Sequence, residues 1–147
     1  MKRYAIVVLL AALVSCRDAT APTRVDGTWR FTFTDMDGTS MLGPLTCQGT
    51  SFDFVIAQSG STFSGLQTGT ASLDCTSNGH PAMSSSVAGE TIPEGHVSGN
   101  SITFHLGSVS GEHDASVSGT SMSGTATWDF RPGNDIVLKG TFTAERQ

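Results

Sequence analysis

Apolar residues recur at every second position in short bursts along most of this chain, and no long run repeats at helical spacing. Trp29, Phe31 and Phe33 alternate with Thr28, Arg30 and Thr32, and the same period returns in Phe52, Phe54 and Ile56 and in Ile102, Phe104 and Leu106. A period of two sends successive side chains to opposite faces of an extended chain, so each burst predicts a strand with one apolar face. Eight such strands are read. Four cover residues 25–34, 48–58, 62–75 and 94–98. A fifth carries Ile102, Phe104 and Leu106, and a sixth covers residues 111–118 with His113, Ala115 and Val117 on one side. The last two carry Met122, Gly124, Ala126, Trp128 and Phe130, then Ile136, Leu138, Gly140, Phe142 and Ala144.

Turn chemistry separates them. Ser59-Gly60-Ser61, Gly99-Asn100, Gly119-Thr120 and Arg131-Pro132-Gly133-Asn134 read as tight connections. Gly65 and Gly69 mark bulges, because the apolar parity slips between Phe63 and Leu66. A recurring apolar-Ser-Gly triplet (Phe63-Ser64-Gly65, Val97-Ser98-Gly99, Val117-Ser118-Gly119, Met122-Ser123-Gly124) has an irregular period and reads as turn chemistry, not duplication. Residues 35–46 and 76–93 lack a strand period and read as long loops.

Eight consecutive antiparallel strands with one apolar face remove their exposed edges by closing on themselves. The expected fold is therefore all-β, an eight-stranded antiparallel up-and-down barrel, with a β-sandwich as the alternative. In a barrel the shortest turns, at 59–61, 99–100 and 119–120, and both termini gather at one end, and the two long loops at the other. Gly27-Thr28-Trp29 opening the first strand and Arg146 just after the last resemble the calycins, the superfamily of lipocalins, fatty-acid-binding proteins and avidins. The resemblance implies that Gly27, Trp29 and Arg146 close the tight end, with the guanidinium packed across the indole. Avidin-like biotin binding does not follow, because Tyr4 is the only tyrosine and Trp29 and Trp128 the only tryptophans.

The N-terminus changes the picture. Lys2 and Arg3 precede an apolar run from Tyr4 to Val14, too short to span a bilayer but suited to a secretory signal. Leu13-Val14-Ser15-Cys16 resembles the bacterial lipobox. That resemblance implies a signal peptide over 1–15, an acylated Cys16 with a tether over 16–24, and a barrel domain over 25–147. Two or more acyl chains make a durable membrane anchor. Arg17 follows the lipid-bearing Cys where an inner-membrane retention signal would have Asp, which implies the outer membrane of a Gram-negative envelope.

Without Lys2 and Arg3, six of the eight basic residues stand against thirteen acidic ones, a net of −7. Such a domain has no electrostatic footprint for nucleic acid. Cys47 and Cys75 remain once Cys16 is acylated, and an oxidising envelope compartment favours a disulfide over two free thiols. Both fall at the long-loop rim. As hairpin partners turning near residues 59–61, they lie nearly opposite each other.

Candidate chemistry is sparse. His96 and His105, with Glu94 and Asp114 nearby, suggest either an outer-surface zinc site or an exposed cross-strand His–carboxylate group, and the second is preferred. His80 has no assigned partner. His113 points inward, as a ligand contact or a hydrogen-bonded core histidine. Asp35 and Asp37 fall short of a calcium loop and read as solvated loop acids. No Gly-x-Ser-x-Gly elbow or other catalytic constellation appears, so a non-enzymatic protein with neither cofactor nor metal is expected. The expected function is binding of a small apolar or amphipathic ligand under the long loops, against Phe33, Phe54, Phe104, Leu106, His113, Trp128 and Leu138. Its rival is a filled barrel whose long loops bind a protein partner. Gly124, Ala126, Ala115 and Gly140 suit either one, leaving room for a ligand or for neighbouring rings.

Overall fold

The computed structural model describes residues 22–40, 43–48, 50–131 and 135–147. The expected signal segment, Cys16 and most of the tether lie outside the described residues, as do 132–134 of the last turn.

Eleven strands form in chain order: β1 Gly27–Ser40, β2 Gly43–Cys47, β3 Thr50–Ser59, β4 Thr62–Thr68, β5 Thr70–Ser77, β6 His80–Ala88, β7 Thr91–Ser98, β8 Ser101–Phe104, β9 His113–Ser118, β10 Ser121–Asp129 and β11 Val137–Arg146. Every pairing is antiparallel. Around the sheet, β1, β3, β4, β7, β8, β9, β10 and β11 follow one another, and β11 pairs back onto β1. That seam closes an eight-stranded barrel and excludes the β-sandwich, which would have parted the first strand from the last. The alternation read from the chain sets the inward faces: Phe52, Phe54, Ile56, Ile102, Phe104, Leu106, His113, Ala115 and Val117 are all buried.

Both segments read as long loops are largely strand, which corrects that expectation. Residues 35–40 continue β1 and 43–47 form β2, while 80–88 form β6 and β7 starts at Thr91. The strand read over 62–75 divides at Gly69 (φ +77°), a left-handed turn that glycine adopts freely. Beyond it β5 leaves the barrel and pairs with β2, and β6 pairs with β5. The three strands β2, β5 and β6 make a flap that extends the sheet past the barrel mouth. Backbone ladder bonds hold them, which is why their composition hides them. β6 has only Met83 and Val87 half-buried among exposed serines.

β1 serves both the barrel and the flap. Its first part lies between β3 and β11, up to the Phe33–Thr50 and Thr34–Thr141 pairs. The register then slips between Thr34 and Asp37, with Asp35 in the left-handed region (φ +53°), and β2 takes the place of β3 from Met36 onward. Gly140 opposes this bulge. A Cβ there would stand 2.7 Å from the Thr34 and Asp35 carbonyl oxygens and 2.6 Å from the Met36 sulfur. Asp35 and Asp37 are thus exposed strand residues, not loop acids. Gly65 does coincide with a bulge, where the β4–β7 register shifts between Phe63 and Gly65.

The tight end is closed as the calycin resemblance implies. Trp29 is fully buried, opposite Arg146 on the β1–β11 seam, and the guanidinium carbon stands 4.8 Å from the indole centroid. The indole N–H donates to the Val25 carbonyl at 2.8 Å, and Arg146 donates to the Arg24 carbonyl at 2.8 Å. Gln58 accepts from the Val25 amide and donates to the Thr23 carbonyl, so the chain before β1 is laced across the barrel floor. Gly27 has no close neighbour: a Cβ there would meet nothing within 4 Å, and its φ of +124° is what calls for glycine.

Above this floor the interior is filled with rings. Phe31 packs on Phe54, Phe104 and Phe142 with centroids 5.4, 5.9 and 5.6 Å away, and Phe33 packs on Phe52 and Phe142 at 5.5 Å. Edge-to-face and tilted contacts of this kind add to simple burial. At Gly124 the close neighbour is backbone and not a ring, since a Cβ there would stand 2.0 Å from the Asp114 carbonyl oxygen.

A cavity between the barrel mouth and the flap

The disulfide sits at the root of the flap. Cys47 and Cys75 are directly opposed on β2 and β5, with an S–S bond of 2.02 Å and Cα atoms 3.9 Å apart. The bond expected from the sequence is present, but its strands differ from the expectation. Cys47 ends β2 instead of opening β3, and Cys75 lies beyond the break at Gly69. The bridge therefore staples the flap internally. Thr50 adds a second tie, donating its hydroxyl to the Ser72 carbonyl at 2.8 Å.

Between this flap and the mouth lies a cavity of about 240 Å³. Phe52, Leu106 and Trp128 line it from the barrel side, and Leu73, Met83 and Val87 from β5 and β6. Its polar lining is confined to Ser85, Glu90 and Ser108. Glu90 is 5% exposed and joins two turns. Its carboxylate accepts the amide N–H groups of Thr91 at 2.9 Å and Ser108 at 3.0 Å, and the Ser108 hydroxyl donates to its other oxygen. The buried Gln67 accepts the Glu90 amide at 2.9 Å and donates to the Val87 carbonyl at 3.1 Å. Gly107 lets this corner close, because a Cβ there would stand 2.2 Å from the Thr91 hydroxyl oxygen.

Of the seven residues expected to contact a ligand, Leu106 and Trp128 line the cavity. Phe33 packs against the Trp128 ring at 4.9 Å, one layer below. Phe54 and Phe104 are buried within the ring cluster, and Leu138 is buried beside the cavity, paired with Trp128 across β10 and β11, without lining it. His113 is a fully buried core histidine. Its Nε2 accepts the Trp128 indole N–H at 3.1 Å, and its ring stacks on Phe104 at 4.7 Å. That hydrogen bond makes Nε2 the acceptor and leaves the proton on Nδ1. Burial lowers its pKa to about 4, against a weaker opposing pull from the Phe104 and Gly111 carbonyls. His113 thus orients the indole that forms part of the cavity wall.

The outer histidines are separated. His96 and Asp114 both pair with Thr103, so Asp114 does not stand opposite His105. His96 lies 3.7 Å from Glu94, and His105 shares a hydrogen bond of 2.9 Å with the Gly111 carbonyl. Among the described residues no three His, Cys, Asp or Glu side chains are grouped to hold a metal ion.

No family model, no curated protein and no solved structure matches the chain. The site rests on its own geometry. Sequence reasoning missed the flap residues Leu73, Met83 and Val87 as cavity lining, although Met83 and Val87 share strand parity. It missed Glu90 entirely, and a lone acid between Gly89 and Thr91 carries no signal of burial.

Proposed function

We propose that this is a non-enzymatic, lipid-anchored protein of the bacterial envelope, tethered to the outer membrane through Cys16, whose barrel holds a small apolar or amphipathic ligand at its mouth. The observation that carries the reading is the cavity itself, apolar on both walls and roofed by a flap that a disulfide holds together. Ligand sites are concave, mostly apolar and marked by a few convergent polar groups, and they run from about 300 to 1,000 Å³. At about 240 Å³ this cavity suits a ligand smaller than most. The chain enters the barrel at its closed floor, so a tether over 16–24 would hold the mouth away from the membrane.

Native mass spectrometry of the protein purified from its own envelope tests the ligand. A co-purifying small molecule, lost in a Val87→Trp variant that fills the cavity, is the expected result. An empty cavity in the native protein, with no small apolar compound competing for it, would refute it. Labelling with a clickable palmitate analogue tests the anchor, and label in a Cys16→Ala protein would exclude it. The rival reading, a partner-binding barrel, draws on one observation: among the described residues β6 pairs only with β5 and ends the sheet as an open edge. A protein partner recovered with an empty cavity would favour that reading.

A further inference from the structure

Glu90 is the group in the cavity wall that the barrel itself leaves unexplained. A carboxylate offers about four acceptor positions. Thr91 and Ser108 fill three of those on Glu90. Its charge has no counter-ion, since the ion pairs among the described residues join Arg24 to Asp26, Arg30 to Asp53, His96 to Glu94 and Arg131 to Asp129. A buried charge without a partner is costly, and the cost falls when an opposite charge is brought to it. The rest of the wall is almost wholly apolar. Apolar walls with one carboxylate that lacks a counter-ion are the complement of an organic cation with an apolar body.

Size narrows the body. An apolar cavity of about 150 Å³ holds benzene. The 240 Å³ here leaves room for one ring and a short chain. We propose that the cavity selects a small primary amine, its ring or branched alkyl body between Trp128 and the flap and its ammonium on Glu90. The inference rests on the ligand-binding reading above and adds the charge of the ligand. The competing account is a purely structural strut. Glu90 does pin the turn before β7 to residues 107–108 through Ser108, but an amide would serve that purpose equally well.

Three probes of one shape separate these accounts: 2-phenylethylamine, 2-phenylethanol and phenylacetate, titrated into the purified protein by calorimetry at neutral pH. The amine is expected to bind about tenfold tighter than the alcohol, since a hydrogen-bonded charge pair is stronger than a neutral contact, and phenylacetate is expected to bind weakest. Glu90→Gln keeps an acceptor for the Thr91 and Ser108 amides and removes the charge. It is expected to lower amine affinity about tenfold while leaving the alcohol within about twofold. Equal binding of amine and alcohol by the wild-type protein would overturn the amine inference and leave a neutral ligand site standing. An unchanged amine preference in Glu90→Gln would also overturn it. If none of the three binds, the ligand-binding reading falls and the inference falls with it. The wild-type comparison decides the matter even if the variant does not fold.

Discussion

Acidification should destabilise this protein through a histidine that no solvent reaches. His113 is fully buried with its pKa lowered to about 4, against 6.5 in an unfolded chain. The unfolded state therefore takes up the proton first. Stability falls as pH drops below about 6.5 and levels off below about 4, where both states are protonated. Between pH 7.5 and 4.5 the linkage amounts to about 2.5 kcal/mol. That is a large share of the 5–15 kcal/mol typical of a domain. Urea denaturation at the two pH values, followed by circular dichroism, measures the loss. The control is His113→Gln, whose amide oxygen can still accept the Trp128 indole N–H while carrying no titrating group. The variant starts less stable, but its loss between the two pH values should be smaller than the wild-type loss by about 2.5 kcal/mol. The surface carboxylates held low by arginines, Asp26, Asp53 and Asp129, contribute in the same direction in both proteins and cancel in the comparison. An equal acid loss in the two proteins would refute the reasoning. So would a His113 midpoint near 6.5 in an NMR titration.

Two further outcomes test the ends of the barrel. Trp29→Ala removes a fully buried indole, its hydrogen bond to Val25 and the platform under Arg146, and should cost about 3–5 kcal/mol in urea denaturation; a cost below about 1 kcal/mol would mean that the floor is not sealed by this residue. Reducing the Cys47–Cys75 bond, which spans 28 residues of sequence, should lower the opening free energy of the flap by up to about 3.5 kcal/mol. Hydrogen exchange should then quicken over residues 43–48 and 70–88 while the β1–β11 seam stays protected, and unchanged exchange in the flap would contradict its role as a staple.

The inward faces were legible because the information is local. Phe31, Phe33, Phe54, Phe104, Leu138 and Phe142 sit where the period of two places them, and each lies within the barrel. Trp29 and Arg146 were legible for a different reason: in a closed meander the first and last strands must meet, so their parity decides whether they touch. The segments 35–46 and 76–93 failed the same test. Met36, Leu45 and Cys47 are buried, but glycines and Pro44 interrupt their spacing, and β6 has too few apolar side chains to show a period. These strands exist because neighbouring backbones supply ladder hydrogen bonds, and that partnership cannot be read from the strand that receives it.

The chain by itself determined the class of fold and the orientation of most side chains, and its calycin resemblance pointed to Trp29 and Arg146 as the pair that meets at the floor. Alternating hydrophobicity needs no knowledge of distant residues. Tertiary structure alone decided that the sheet closes through β1 and β11, that β2, β5 and β6 rise from the mouth as a disulfide-bonded flap, and that the cavity lies beneath that flap and not among the rings of the barrel. It also decided the fate of Glu90. A glutamate next to a glycine turn is ordinarily solvated. What buries this one is the approach of residues 107–108 and the flap, parts of the chain that meet it only once the barrel has closed.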